Sequence, residues 1–210
     1  MKEERVTFKS GELTLEGMIA LPDGAGQHRA AVVCHPHPLY GGSMYNNVVD
    51  AVLEALHAHG FATLRFNFRG VGQSEGEFDN GNGEADDAVA ALRFLTTQKG
   101  VRATDAVLAG YSFGATAAVR AAASAAEVAA IVAVALPLGM IDPSALGTIT
   151  KPIVLLAGDR DSYCPANHLA ALAERLGPSA RLRIIPGADH FFGGRESEIV
   201  AALVEELATL

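Results

Sequence analysis

The sequence predicts an α/β fold: a mainly parallel eight-stranded sheet with helices on both faces. Three observations lead there. Hydrophobic periodicity switches repeatedly between short apolar runs and stretches at helical spacing, the alternation that builds parallel sheets. The short runs, such as Ala30–Cys34, are apolar throughout, as strands buried on both faces are. The segments richest in reactive residues, HPHPLYGG, NFRGVGQS, GYSFG and GDRDSYCP, each follow such a run, and ligands gather at the carboxyl ends of parallel strands.

Each element has its own justification. RVTFKS and LTLEGMIAL flank Gly11-Glu12 and predict an antiparallel hairpin at one edge. PDGAGQHR is a polar turn before the strand Ala30–Cys34. From Met44 to His59, Val48, Val52 and Leu56 recur at helical spacing, Val49 and Leu53 widen the stripe, and Gly60 ends the helix. Phe61–Phe68 is the next strand. EADDAVAALRFLTTQ carries the stripe Ala85, Val89 and Leu92, with Glu84, Asp86 and Asp87 at the positive end of the helix. Ala106–Ala109 is a strand, Phe113–Ser124 a helix and Val128–Ala135 a strand. Ile153–Ala157, Pro165–Leu176, Leu182–Ile185 and Glu196–Leu207 then alternate strand, helix, strand, helix.

Composition bounds the function. The 210 residues are 50% hydrophobic and 19% charged, enough apolar chain for a substantial core. No repeat, linker or charge block divides them, so one domain over 1–210 is expected. The longest irregular stretches, 35–43, 69–83 and 137–151, are too short for a cap domain. A net charge of -8 without a dense Lys/Arg patch speaks against nucleic acid. No apolar run is long enough to span a membrane. Two cysteines, Cys34 and Cys164, build no disulfide framework, and the start MKEERVTFKS lacks a signal-peptide core, so a cytoplasmic setting is expected. A monomer and a homodimer are both left open.

Gly110-Tyr111-Ser112-Phe113-Gly114 is G-x-S-x-G between an apolar strand and an alanine-rich helix. A nucleophilic serine must project from a tight turn, and the flanking glycines let backbones approach. Its hydroxyl needs a base, and the base an orienting group. Of seven histidines, His190 in GADHFF directly follows the last predicted strand and can turn toward Ser112. His168 reads as helix surface, and His57 and His59 flank a helix end. Gly158-Asp159-Arg160-Asp161 offers two acids after a strand. Asp161 has the turn length to curl back, Asp159 is placed to cap the turn or pair with Arg160, and Asp189 adjoins the histidine but diverges from it. The order Ser112, Asp161, His190 is that of a hydrolase elbow.

On HPHPLYGGSMYNNVV, RFNFRGVGQSEG, GYSFG, GDRDSYCP and GADHFF, the sequence resembles the α/β-hydrolase superfamily over almost its whole length. The likeness is to the small dienelactone-hydrolase-like branch. It implies the α/β-hydrolase fold without a cap, Ser112 as nucleophile, Asp161 as acid and His190 as base. A typical dienelactone hydrolase has cysteine at the elbow. Ser112 makes ester hydrolysis the expected reaction. An oxyanion hole would use the Phe113 N–H and a donor from HPHPLYGG. Pro36 and Pro38 have no N–H, which leaves His37 or Leu39. Resemblance to hydrolases whose loop begins His-Gly favours His37.

The expected function is a serine carboxylesterase acting on a small-molecule ester, with peptidase, thioesterase, acyltransferase or noncatalytic binding as alternatives. No cofactor is required. Phe68–Ser74 lacks dinucleotide spacing, and His35 with His37 lacks the companions of a zinc site, so neither nucleotide nor metal is expected. The resemblance implies a scaffold turn at Asn67-Phe68-Arg69-Gly70, with Arg69 paired or hydrogen-bonded locally. Tyr40, Tyr111, Phe113, Met140, Tyr163, Phe191 and Phe192 read as pocket lining or core, and Cys164 as a small half-buried hydrophobe.

Overall fold

The computed structural model describes residues 1–24, 26–141, 146 and 149–210. Its sheet comprises β1 (Glu3–Ser10), β2 (Leu13–Ala20), β3 (Ala30–Cys34), β4 (Ala62–Phe66), β5 (Ala106–Tyr111), β6 (Val128–Val134), β7 (Ile153–Gly158) and β8 (Ala180–Ile185). The order is β1-β2-β4-β3-β5-β6-β7-β8. β1 and β2 pair antiparallel, as do β2 and β4, and every pairing beyond β4 is parallel. No separate cap domain lies among the described residues, and the predicted connection 137–151 falls partly outside them.

Helix α1 (Asn47–Ala58) connects β3 to β4, and α2 (Asn82–Thr96) connects β4 to β5. The two crossovers run in opposite directions across the sheet, so right-handed connections place their helices on opposite faces. Helix α3 (Phe113–Ser124) packs beside α2, and α5 (Glu196–Leu207) beside α1. Helix α4 (Ala166–Leu176) lies along β7 and β8.

Every residue of β3, β4, β5 and β7 is buried, as two covering layers require. Val32, Leu64, Leu108, Ile131 and Leu155 are at most 1% exposed; each such side chain contributes about 1.5–3 kcal/mol by leaving water. The polar exceptions in β4 have partners, although Arg65 Nε itself makes no hydrogen bond. Thr63 bonds His57 Nε2 at 2.8 Å, and Arg65 pairs with Glu3 and Asp50.

Element ends differ from the sequence reading for local reasons. Helix α1 begins at Asn47 rather than Met44 because the Asn46 carboxamide accepts the Val48 and Val49 N–H groups. Met44 N–H is drawn instead to Asn67 Oδ1 at 2.9 Å. Strand β5 runs to Tyr111, past the predicted Ala109, so the strand reaches the serine directly.

Candidate active site

Ser112 makes the whole turn between β5 and α3. Its backbone sits at φ +54°, ψ −121°, a region costly to L-residues. The turn is held because Ser112 N–H donates to Val134 O at 2.9 Å. The flanking glycines are required by space: a Cβ on Gly110 would lie 2.2 Å from Gly114 O, and one on Gly114 2.3 Å from Cys34 O. Backbone therefore touches backbone between the elbow and the end of β3. That contact brings the loop after β3 beside Ser112.

His190 follows β8 and Asp161 follows β7, so the parallel sheet delivers all three side chains to one edge. Ser112 Oγ lies 3.0 Å from His190 Nε2, and His190 Nδ1 lies 2.8 Å from Asp161 Oδ2. The carboxylate fixes the tautomer: Nδ1–H donates to Asp161, leaving the Nε2 lone pair for the serine hydroxyl. Asp161 and His190 are 4% and 8% exposed, while Ser112 is only partly buried and open to substrate.

The competing acids are spent on turns. Asp159 Oδ1 accepts Gly187 N–H at 2.6 Å, and Asp189 Oδ1 accepts the N–H groups of Phe191 and Phe192. Asp161 is itself anchored, because its Oδ1 accepts Tyr163 and Cys164 N–H, both at 2.8 Å. Three other histidines are engaged or exposed elsewhere. His57 bonds Thr63, His59 bonds Val204 O, and His168 is exposed on α4.

Two supports escaped the sequence reading. The Tyr111 hydroxyl donates to His190 O at 2.8 Å, so the residue before the serine grips the backbone of the histidine. Burial, reinforced by the charges of Asp161 and Asp189, raises its phenol pKa and keeps it a donor. Cys164, 1% exposed, is fully rather than half buried, and its thiol donates to Leu136 O at 2.8 Å. Burial and then Asp161 raise its pKa, so it stays protonated and unreactive. A hydroxyl or thiol that ties two strand ends together leaves no periodic trace in sequence.

The loop after β3 is built around two neutral imidazoles. His37 Nδ1 accepts Leu39 N–H at 3.2 Å, which commits the Leu39 donor. The His37 ring packs 4.9 Å from Phe113 and 4.6 Å from Tyr40, and burial lowers its pKa against the opposing pull of Glu84. Among the described residues, the His37 and Phe113 N–H groups have no hydrogen-bond partner. Gly42 lets the loop close, since a Cβ there would lie 2.1 Å from Pro36 O.

His35 is fully buried; its Nε2 accepts Phe68 N–H at 3.1 Å and its Nδ1–H donates to Pro36 O at 2.6 Å. Desolvation holds its pKa at about 4, from an ordinary 6.5. The folded state resists this proton while the unfolded chain takes it, so His35 supports stability fully above pH 6.5. That support should fall by about 3 kcal/mol as pH drops through the window from 6.5 to 4. Denaturant melts of wild type and His35→Gln across pH 4–7.5 check this. The variant should show the shallower decline, and parallel curves would remove His35 as the cause.

Arg69 is paired, but not locally as expected: its Nε and Nη2 grip the buried Asp87 carboxylate in α2 at 3.0 and 2.7 Å. Ser10 Oγ donates to the same carboxylate at 2.7 Å. Asp87 therefore pins a loop rather than merely suiting a helix end. The residues read as pocket lining or core divide. Tyr111, Phe113 and Phe192 are core, whereas Tyr40, Met140, Tyr163 and Phe191 are exposed.

A model of the alpha/beta hydrolase domain matches residues 30–204. An uncharacterised protein of Rickettsia prowazekii is 39% identical across 98% of this chain and 89% of its own. The structure of an alpha-beta serine hydrolase homologue from Coxiella burnetii superposes with a TM-score of 0.88 at 35% identity, covering 99% of this chain and 98% of that one. An α/β serine hydrolase without a lid from Xanthomonas campestris gives 0.87 at 33% identity, covering 99% and 94%. The eight-stranded sheet, the strained serine after β5 and the Ser112–His190–Asp161 hydrogen-bond chain agree with these matches: the chain belongs to the alpha/beta hydrolase family.

Proposed function

We propose that this protein is a serine carboxylesterase that cleaves small esters through an acyl-enzyme. The observation that carries the reading is the continuous hydrogen-bond chain from Ser112 through His190 to Asp161 at the carboxyl edge of the sheet. His190 Nε2 takes the Ser112 proton as Oγ attacks the ester carbonyl. The resulting oxyanion is received by the Phe113 and His37 N–H groups, both without a partner among the described residues; each such donor is worth about 3 kcal/mol in the transition state. Protonated His190, steadied by Asp161, gives its proton to the departing alcohol. Water then attacks the acyl-enzyme with His190 again as base, and Ser112 leaves protonated.

The motif likeness carries the further reading of a dienelactone-hydrolase-like protein with serine in place of cysteine. Two buried, unbridged cysteines support a reducing, cytoplasmic setting. No described helix is long and apolar enough to cross a membrane.

The test is direct. Brief incubation with p-nitrophenyl acetate at acidic pH should leave an acetyl group on the peptide containing Ser112, read by mass spectrometry. An acetyl group found elsewhere, or none during turnover, would end the acyl-enzyme reading. Chain length gives a second prediction. With a short 137–151 connection and exposed Met140, a long acyl tail finds little surface to leave water against. Across monomeric C2–C16 p-nitrophenyl esters, kcat/KM should peak at about two to six carbons, because unburied methylenes forgo their usual gain of about 0.8 kcal/mol each. A steady rise through C12, or a jump at micelle formation, contradicts the open pocket.

A further inference from the structure

Acyl transfer fixes where each half of an ester must lie. The carbonyl oxygen points to the His37 and Phe113 N–H groups, and the leaving oxygen must reach the proton on His190 Nε2. The alcohol half of the substrate therefore lies beside His190, on the side away from the oxyanion donors.

Two aromatic rings pack against His190. The Tyr163 ring centroid is 4.9 Å from the His190 ring, and Phe191 stands edge-on to His190 at 5.6 Å. Tyr163 and Phe191 meet each other T-shaped at 6.3 Å. Despite this packing they are 63% and 62% exposed, whereas the adjacent Phe192 is wholly buried. Exposed rings clustered in one place are surfaces for contact rather than core. Their backbones are pinned, Tyr163 N–H by Asp161 Oδ1 at 2.8 Å and Phe191 N–H by Asp189 Oδ1 at 3.0 Å. The two carboxylate turns thus hold the backbone from which both rings project, and backbone fixed in advance lowers the ordering entropy spent on a ligand.

We propose that Tyr163 and Phe191 form a leaving-group platform, and that the preferred substrates are esters of an aromatic alcohol. The proposal rests on the esterase reading above. As the tetrahedral intermediate collapses, the carbon–oxygen bond to the alcohol breaks and its electron pair stays on that oxygen. The oxygen takes the proton that His190 received from Ser112. During this step a flat ring on the alcohol lies against Phe191 and Tyr163. An open platform covers an alkyl group on one side only and adds no preferred geometry. A planar ring can lie face-on to one of the two rings and edge-on to the other, gaining the orientation-dependent aromatic contact.

Benzyl acetate and cyclohexylmethyl acetate test this. Both yield the same acetyl-enzyme and release alcohols of similar size and basicity, so a difference in kcat/KM reports recognition of the alcohol during acylation. Wild type should favour the benzyl ester by about three- to tenfold. Phe191→Ala with Tyr163→Ala should bring the ratio near one, while Phe191→Tyr and Tyr163→Phe, which keep the rings, should preserve it. Hydrolysis of both esters with a ratio near one in wild type, or a ratio indifferent to losing both rings, overturns the platform and leaves the esterase intact. Failure to form an acetyl-enzyme from either ester overturns the esterase reading and the platform with it.

Discussion

Ser112→Ala is expected to lower kcat for ester hydrolysis by about 10⁶-fold while leaving the fold in place. The effect is large because the nucleophile has no substitute: Cys164, the nearest thiol to the acid, is held protonated and bonded to Leu136 O. The fold should survive because Ser112 Oγ, among the described residues, hydrogen-bonds with His190 Nε2 and no other group, while the turn is fixed by Ser112 N–H on Val134 O and by Ala115 N–H on Ser112 O. Alanine inherits the backbone strain at φ +54°, and glycine relieves it. Ser112→Gly should therefore be more stable than Ser112→Ala by about 1 kcal/mol, although both are inactive. Acetate release and fluorophosphonate labelling measure the first effect, and paired thermal melts the second. Residual activity of Ser112→Ala within a hundredfold of wild type would transfer the nucleophile elsewhere.

What the sequence revealed and what it hid follow one physical division. The sheet was readable because strands buried on both faces, such as AVVC and IVLLAG, must be apolar throughout, and their shortness and flanking turn residues separate them from the helices. Ser112, Asp161 and His190 were readable because nucleophile, acid and base must each follow a strand in a parallel sheet, and only a few positions qualify. Contacts that close across the sheet were not readable. Nothing local to Tyr111 says that its hydroxyl will meet a carbonyl 79 residues away, and nothing near Asp87 names Arg69 and Ser10 together. That the His37 imidazole folds back onto Leu39 N–H was hidden for the same reason.

Asp161→Asn is expected to reduce kcat/KM by about 10⁴-fold without unfolding the protein, because an amide can offer the His190 ring its NH₂ and stabilise the wrong tautomer. The geometry makes the prediction specific to one carboxylate. Asp161 divides its oxygens, Oδ1 accepting Tyr163 and Cys164 N–H and Oδ2 accepting His190 Nδ1–H. An asparagine that keeps its carbonyl on the two backbone donors must aim its amide nitrogen at the histidine. Both then offer a hydrogen unless the imidazole proton moves to Nε2, where it blocks acceptance from Ser112 Oγ. The turn survives and the base is lost. Asp159→Asn has the opposite balance, since Asp159 Oδ1 serves Gly187 N–H across to the β8 loop and an amide oxygen performs that task nearly as well. Its kcat/KM should stay within about tenfold of wild type, a change in stability of the order of one hydrogen bond, about 1 kcal/mol, being the main consequence. Steady-state kinetics with p-nitrophenyl acetate and a denaturation curve for each folded variant separate the two. If Asp159→Asn proved the more damaging to turnover, the hydrogen bond from Asp161 to His190 would not be the one that orients the base.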